Sequence, residues 1–218
     1  MRALLSVISL LAAVSALPAC GFSNVHETVH RTVPTTGSPA VRVRNAVGGV
    51  TINAWDKPEV DVEAVKSARS IEGLHSIAVD VATGNSGVSV TTVNNNGDFW
   101  NAGGVRYTIM VPANSSLDVS NDTGGVRIYG VRGNVTARTT TGGMQADLGR
   151  VDGRRNIDLR VTTGGIEVTI ARNSNATLDL HTTVGGVSSA FPGNRIGSGS
   201  AHIHLETVTG GVALHASS

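Results

Sequence analysis

The sequence predicts an all-β fold, specifically a β-solenoid like a right-handed parallel β-helix, built from repeats of about 20 residues that run strand, Gly-Gly corner, strand. Three observations carry this expectation. A Gly-Gly pair returns at Gly124-Gly125, Gly142-Gly143, Gly164-Gly165, Gly185-Gly186 and Gly210-Gly211, at spacings of 18, 22, 21 and 25 residues. Apolar and polar residues alternate on both sides of each pair, which is the period of a strand with one buried face. Glycine reaches 27 residues while charged residues make up 15% and aromatics 3% of the 218, so a core must be built from Val, Ile and Leu between tight turns. A β-sandwich or meander also fits the alternation, and the in-phase return of one corner favours the solenoid.

Residues 1–19 read as a lipoprotein signal peptide. Met1-Arg2 gives a positive start, and residues 3–16 are apolar apart from Ser6, Ser9 and Ser15. That stretch is shorter than the about 20 apolar residues a membrane-spanning helix needs. It ends in Leu17-Pro18-Ala19-Cys20, and Cys20 is the single cysteine of the chain. The run resembles a bacterial lipobox, which implies cleavage before Cys20 and diacylglycerol attachment to its thiol. Lipid chains on that residue would hold the protein to a membrane surface. Residues 20–39 then read as the acylated Cys20 and a flexible tether rich in Thr, Ser, Pro and Gly.

Residues 40–116 form an N-terminal β section and residues 117–218 a regular repeat section of the same domain. Counting back seven and five residues from each corner, with earlier anchors at Gly48-Gly49 and Gly84, gives Val41/Val43, Ile77/Val79, Leu117/Val119, Val135/Ala137, Ile157/Leu159, Leu178/Leu180 and Ile203/Leu205. All are apolar. The residues six and four back, Arg42/Arg44, Ala78/Asp80, Asp118/Ser120, Thr136/Arg138, Asp158/Arg160, Asp179/His181 and His204/Glu206, are polar with Ala78 the exception and form the outer face. Beyond the corner the apolar residues resume at plus two and plus four, with Ser189 the exception. Glycine suits the corner because it reaches positive φ without a Cβ clash. The Thr residues just before the pairs share the phase of the buried positions and are expected to turn inward. Before Leu117 the anchors lie 36 and 40 residues apart, so extra strands are expected around residues 60–65 and 105–111 in an irregular, partly antiparallel section. Residues 94–104 read as an exposed loop.

Residues 41–64, with Asn45-Ala46-Val47-Gly48-Gly49-Val50-Thr51-Ile52 and Trp55-Asp56-Lys57-Pro58-Glu59-Val60, together with the later Thr-Gly-Gly corners, carry a family resemblance. The chain over residues 40–215 resembles the bacterial putative-adhesin β-repeat domain, a family of unknown function found in envelope lipoproteins. The resemblance implies adhesion and brings no catalytic residue with it.

No chemistry converges in the sequence. His202, His204 and Glu206 share one strand face, yet zinc needs three or four converging ligands. The column of Asp118, Asp158 and Asp179 evokes a polysaccharide-cleaving solenoid, but Thr136 interrupts it. The Gly pairs are not followed by the Asp of calcium-binding rolls. Gly197-Ser198-Gly199-Ser200 lacks the strand-turn-helix setting of a nucleophile elbow. With 17 basic against 16 acidic residues there is no basic stripe for nucleic acid. The reading is therefore a non-catalytic, adhesin-like binding or scaffolding module with no metal and no cofactor. It is anchored through Cys20 on the outer side of the cytoplasmic membrane or in the outer membrane, with an envelope protein or polysaccharide as partner. The alternative is a solenoid enzyme acting on an envelope or extracellular polysaccharide.

Overall fold

The computed structural model describes residues 24–84, 87–94 and 103–217. From the N-terminus come β1 (Val25–Pro34), β2 (Ala40–Val47), β3 (Val50–Trp55), β4 (Glu59–Ala68), the short helix α1 (Ile71–Ser76), β5 (Ile77–Gly84), β6 (Gly87–Asn94) and β7 (Gly104–Pro112). Then follow β8 (Ser116–Thr123), β9 (Val126–Tyr129), β10 (Val135–Thr141), β11 (Met144–Gly149), β12 (Asn156–Thr163), β13 (Ile166–Ala171), β14 (Ala176–Val184), β15 (Val187–Ser189), β16 (Arg195–Ile196), β17 (Ala201–Thr209) and β18 (Val212–Ser217). The signal segment and Cys20 lie outside the described residues, as does most of the expected loop at 94–104.

The strands form two nine-stranded, mostly parallel sheets. One runs β1-β4-β7-β3-β9-β11-β13-β18-β15 and the other β16-β14-β17-β12-β10-β8-β2-β6-β5. Each Gly-Gly corner carries the chain from the second sheet to the first. This is a two-sheet, sandwich-like arrangement, and the expected β-solenoid is wrong. In a solenoid each unit stacks on the one before it in the chain, whereas here the last unit, β17 with β18, inserts between β12-β13 and β14-β15. Antiparallel pairs also flank the parallel strands: β1 with β4, β4 with β7, β5 with β6 and β14 with β16. A corner repeated in phase fixes how units register, not the order in which they stack.

Registration at the corners aligns the apolar columns. Across the second sheet Val41, Leu117, Val135, Ile157, Ile203 and Leu178 lie side by side, as do Val43, Val119, Ala137, Leu159, Leu205 and Leu180. They face Val50, Val126, Met144, Ile166 and Val212 of the first sheet in a single apolar core. The strands expected around residues 60 and 105 are β4 and β7. Ile77 and Val79 do not join the column. Val88 and Val90 of β6 take their place beside Val41 and Val43, and β5 returns antiparallel along the edge. Gly84 sits at the β5–β6 hairpin, opposite Gly87, and is not a corner.

Part of the expected tether is also structured. Val25–Pro34 is β1, paired with β4 along its length, and only Val29 and Val33 of it pack on the core. Such an edge strand is mostly polar, so its alternation is weak in the sequence. The buried Lys66 ammonium binds Glu27 at 2.8 Å and donates to the Ile77 carbonyl at 3.0 Å, tying β1 to β4 and to the end of α1.

The corner itself is a stacked backbone device. Gly48, Gly124, Gly142, Gly164, Gly185 and Gly210 have φ between 124° and 147°. A Cβ on Gly142 would run into the Gly124 carbonyl, and one on Gly164 into that of Gly142. Hydrogen bonds continue through the turn: Gly124 N–H to Thr141 O at 2.8 Å, Gly142 N–H to Thr163 O at 2.9 Å and Val126 N–H to Gly143 O at 3.0 Å. At Gly48, Gly124, Gly164 and Gly210 the carbonyl of the first glycine accepts from the side chain three residues before the corner of the adjacent unit. Asn121 reaches Gly48 O at 3.1 Å, Thr207 reaches Gly164 O at 3.0 Å and Thr182 reaches Gly210 O at 2.9 Å. The expectation that Thr141, Thr163 and Thr209 turn inward is wrong. The strand leaves its alternation just before the glycine, and these three are exposed.

Near the N-terminal corner a buried polar chain runs from Tyr107 Oη to Thr92 at 2.8 Å, on to Asn45 at 2.9 Å, and from Asn45 to Asn121 at 3.1 Å. Burial pushes the Tyr107 phenol up from 10.0 to about 12, against a smaller lowering by the bond to Thr92. Because the folded state resists ionisation, its stabilisation is complete below pH 10.0 and is lost as pH rises through about 12. Chemical denaturation across that window is expected to show falling stability in the wild type and a flatter profile in Tyr107→Phe. At the corners, Gly142→Ala is expected to destabilise by about 3 kcal/mol through positive φ and backbone overlap. In contrast, Gly143→Ala, whose Cβ meets only the Gly165 carbonyl at an ordinary 3.6 Å, should cost less than about 1 kcal/mol. Equal effects in urea melts would contradict the stacked-carbonyl account.

Candidate functional site

The outer face of the second sheet carries the most organised polar chemistry of the described residues. Parallel register sets Arg42, Asp118, Thr136, Asp158, His204 and Asp179 in one row across six strands. The adjacent row is Arg44, Ser120, Arg138, Arg160, Glu206 and His181. Asp80, expected in this second row, lies on edge strand β5, and Thr91 stands beside Arg44 instead.

The rows are cross-linked by charge. Asp118 takes Arg44 at 2.9 Å and Arg42 at 3.1 Å. Asp158 takes Arg160 at 2.8 Å and Arg138 at 3.6 Å, and Arg160 also reaches Glu206 at 2.9 Å. His204 lies 2.7 Å from Asp179 and 3.3 Å from Glu206, so both ring nitrogens are engaged. The hydrogen bond from Arg44, followed by that from Arg42 and the charges of both, holds the Asp118 carboxyl below its usual range despite partial desolvation. Each bridge has at least one partner well exposed to solvent and contributes little alone, about 0–1 kcal/mol. Together they fix the side chains of a flat, regular face.

Beside this ladder, toward the corners, a groove of about 380 Å³ is lined by Asp122, Arg138, Thr140, Arg160, Thr162 and Glu206 among others. Hydroxyl, carboxylate and guanidinium groups line it together with Val161 and Val208, a mixed lining with groups able to hydrogen-bond an extended polar polymer. The outward polarity of these residues is legible in the sequence. The neighbours are not, because His204 stands in register between Asp158 and Asp179 only through the insertion of β17.

The other residues singled out do not gather. His202 lies outward on β17, beside Asn156 and Thr177 in register. His26 contacts Ser67 at 2.9 Å and His30 contacts Asp61 at 3.0 Å along β1. Among the described residues no group of three or more His, Cys, Asp or Glu is placed to hold a metal ion. Ser198 donates its backbone N–H to Asn175 at 3.0 Å in a surface loop. No helix among the described residues is long and apolar enough to cross a membrane.

No protein-family model matches the chain, and no curated protein matches it. Among solved structures, a protein of Clostridium sporogenes described as a putative cell adhesion protein superposes over 88% of this chain and 100% of its own, with a TM-score of 0.69 at 10% identity. One of Bacteroides fragilis described as a putative adhesin covers 86% of this chain and 96% of its own at 13% identity, with a TM-score of 0.33 that carries no argument. The likeness to the Clostridium protein is one of fold.

Proposed function

We propose that this chain is a membrane-anchored lipoprotein of the bacterial cell envelope whose two-sheet domain is a non-catalytic, adhesin-like binding or scaffolding module. The observation that carries the reading is the charge ladder of the second sheet with the groove beside it. Long, flat and repetitive, this face suits an extended polar partner, an envelope polysaccharide or protein, better than a small molecule enclosed in a pocket. The description of the Clostridium protein as a putative cell adhesion protein supports the same direction.

Pairing of the carboxylates weighs against the polysaccharide-cleaving alternative. A general acid needs a carboxyl that keeps its proton near neutrality. Asp118 is pulled the other way, chiefly by Arg44. Asp158 and Asp179 are each engaged by a basic side chain.

Anchoring rests on the lipobox-like run ending at Cys20. Because β1 begins at Val25, only four residues, or five Cα-to-Cα steps, would separate anchor and sheet. At about 3.5 Å per extended residue, the domain would sit within roughly 17 Å of the membrane surface. Two outcomes follow. Cys20→Ser is expected to move the protein from the membrane fraction to the soluble fraction, and retention on membranes would refute the anchor. Arg138→Ala with Arg160→Ala is expected to weaken binding to isolated envelope polysaccharide or to envelope protein at least tenfold, with an unchanged melting transition. Undiminished binding would move the site away from the ladder.

A further inference from the structure

We infer that the end of the domain formed by β1, α1 and β5 docks on the lipid bilayer, so that the two sheets stand upright on the membrane and the charge ladder rises away from it. The inference rests on anchoring through Cys20. β1 and β5 are the edge strands of their sheets at one end of the stack, and α1 packs on both of them and on β4. The chain enters the domain at this same place. Val25, the first residue of β1, pairs with Ala68, and α1 begins three residues after Ala68. The Ile71 Cα therefore lies no more than about 11 Å from that of Ala68.

The surface there suits the boundary between water and lipid. Leu74 and Ser76 turn inward, and Ser70 caps the helix by accepting the Gly73 N–H at 3.1 Å, which leaves Ile71, Glu72 and His75 outward. Ile71 is 63% exposed, the most of any large hydrophobic among the described residues. Just past α1, Ala78 pairs with Val93, itself 41% exposed. Arg69 and His75 flank Ile71 in the chain and are exposed, with Glu72 the one outward acid of the helix. Apolar side chains within such a polar, partly basic rim lie in the plane of a membrane interface and do not span it. Among the described residues no strand pairs with the outer side of β1, so headgroups and interfacial water can meet its free backbone groups.

Reach selects the bilayer as the occupant, and it selects this end. The other exposed large hydrophobics, Val184, Val187 and Val208, lie on the last strands of the stack. Those strands are roughly 38 Å from β1, more than twice the roughly 17 Å that the chain between Cys20 and Val25 can span. A short tether holds Ile71 and Val93 beside the bilayer wherever the rest of the domain points, whereas the far end reaches it only if the stack lies flat. Because α1 covers the end where both sheets stop, its outward face points along the stack, and docking through it stands the sheets upright. The lipid then supplies the affinity and this surface the orientation. Arg42 of β2 becomes the near member of the ladder and Asp179 of β14 the far one.

The test uses the full chain, acylated during expression and reconstituted in vesicles of phosphatidylethanolamine and phosphatidylglycerol that carry nitroxide-labelled lipid. Cys20 is the single cysteine and its thiol would be taken by the lipid, so Ile71→Cys, Val93→Cys and Val184→Cys each offer one thiol for a fluorophore. Nitroxide is expected to quench the probes at positions 71 and 93 about threefold or more over the probe at 184. Adding Ile71→Asp to the Val93 probe should lower its quenching toward the level at 184. All three positions are exposed, and melting curves identify a variant that fails to fold, in which case the other near-end probe decides. Equal quenching at all three positions, in a chain that floats with the vesicles, overturns the docking and leaves the anchor standing. So does a Val93 probe indifferent to Ile71→Asp. A chain that does not float with the vesicles refutes the anchor, and the docking falls with it.

Discussion

The close approach of glycine backbones at the corners is the constraint on which the rest of this molecule depends. The carbonyl of one first glycine occupies the space a Cβ would need on the next, along a column from Gly48 through Gly124, Gly142, Gly164 and Gly210 to Gly185. A unit displaced by one residue would bring a side chain into that column. The corners therefore act as a register lock for both sheets at once. With side chains alternating every residue, a slip would also turn each apolar row out of the core. Asn121, Thr139, Thr182 and Thr207 reinforce the lock by binding glycine carbonyls from inside, where an unpaired acceptor would be costly.

The polar face is a consequence of the same lock. Register that superposes Val135 on Ile157 inside must superpose Thr136 on Asp158 and Arg138 on Arg160 outside. Like charges meet where Arg138 and Arg160 fall side by side. Asp158, two residues from Arg160 and across from Thr136, neutralises both. The ladder is thus the set of charges compatible with a row spacing imposed by the interior, and its regularity is inherited from the core. A face with that property presents a polar side chain at each strand spacing, about 4.8 Å, with the chemistry varying from strand to strand. This is the geometry on which a repeating or extended partner can lie.

How much of this was legible in the sequence divides along the same line. Anything determined within one unit could be read: the inward and outward residues, the glycine corners, the strands around Val60 and Val105. Features decided between units could not. Nothing local to β17 tells that it enters between β12 and β14, because every unit offers the same corner to either neighbour. The solenoid expectation failed there. Ile77 and Val79 have the right spacing from Gly84, but a lone hairpin glycine mimics a corner in one dimension. β1 escaped notice because an edge strand has one neighbour and little core, so Val25–Pro34 needs few apolar residues. The Thr residues at the corner were misassigned because a parity rule was carried one residue beyond the strand that obeys it. Within the candidate site, the polarity of Arg138, Asp158, Arg160 and Glu206 was visible, and their partnership was not.

Chain order and stacking order also differ in what they place at the two ends of the molecule. β1 and β15 are the opposite edges of one nine-stranded sheet. Eight strand intervals at about 4.8 Å set them roughly 38 Å apart. The N-terminal edge is polar and charged, tied down by Lys66 and Glu27 and covered by α1, and it continues toward Cys20. At the far edge lie the bare backbone of β14 and the exposed Val184 and Val187. Had the units stacked in chain order, the final unit, β17 with β18, would have formed that far end. Its insertion moves β14-β15 outward and buries Ile203, Leu205, Val212 and Leu214 in the core. The weakest unit, with its three-residue β15 and its Ser189 in an otherwise apolar column, is therefore the one left at the surface. A unit poor in core contacts is tolerated only at an end, where one of its faces needs no second unit to cover it.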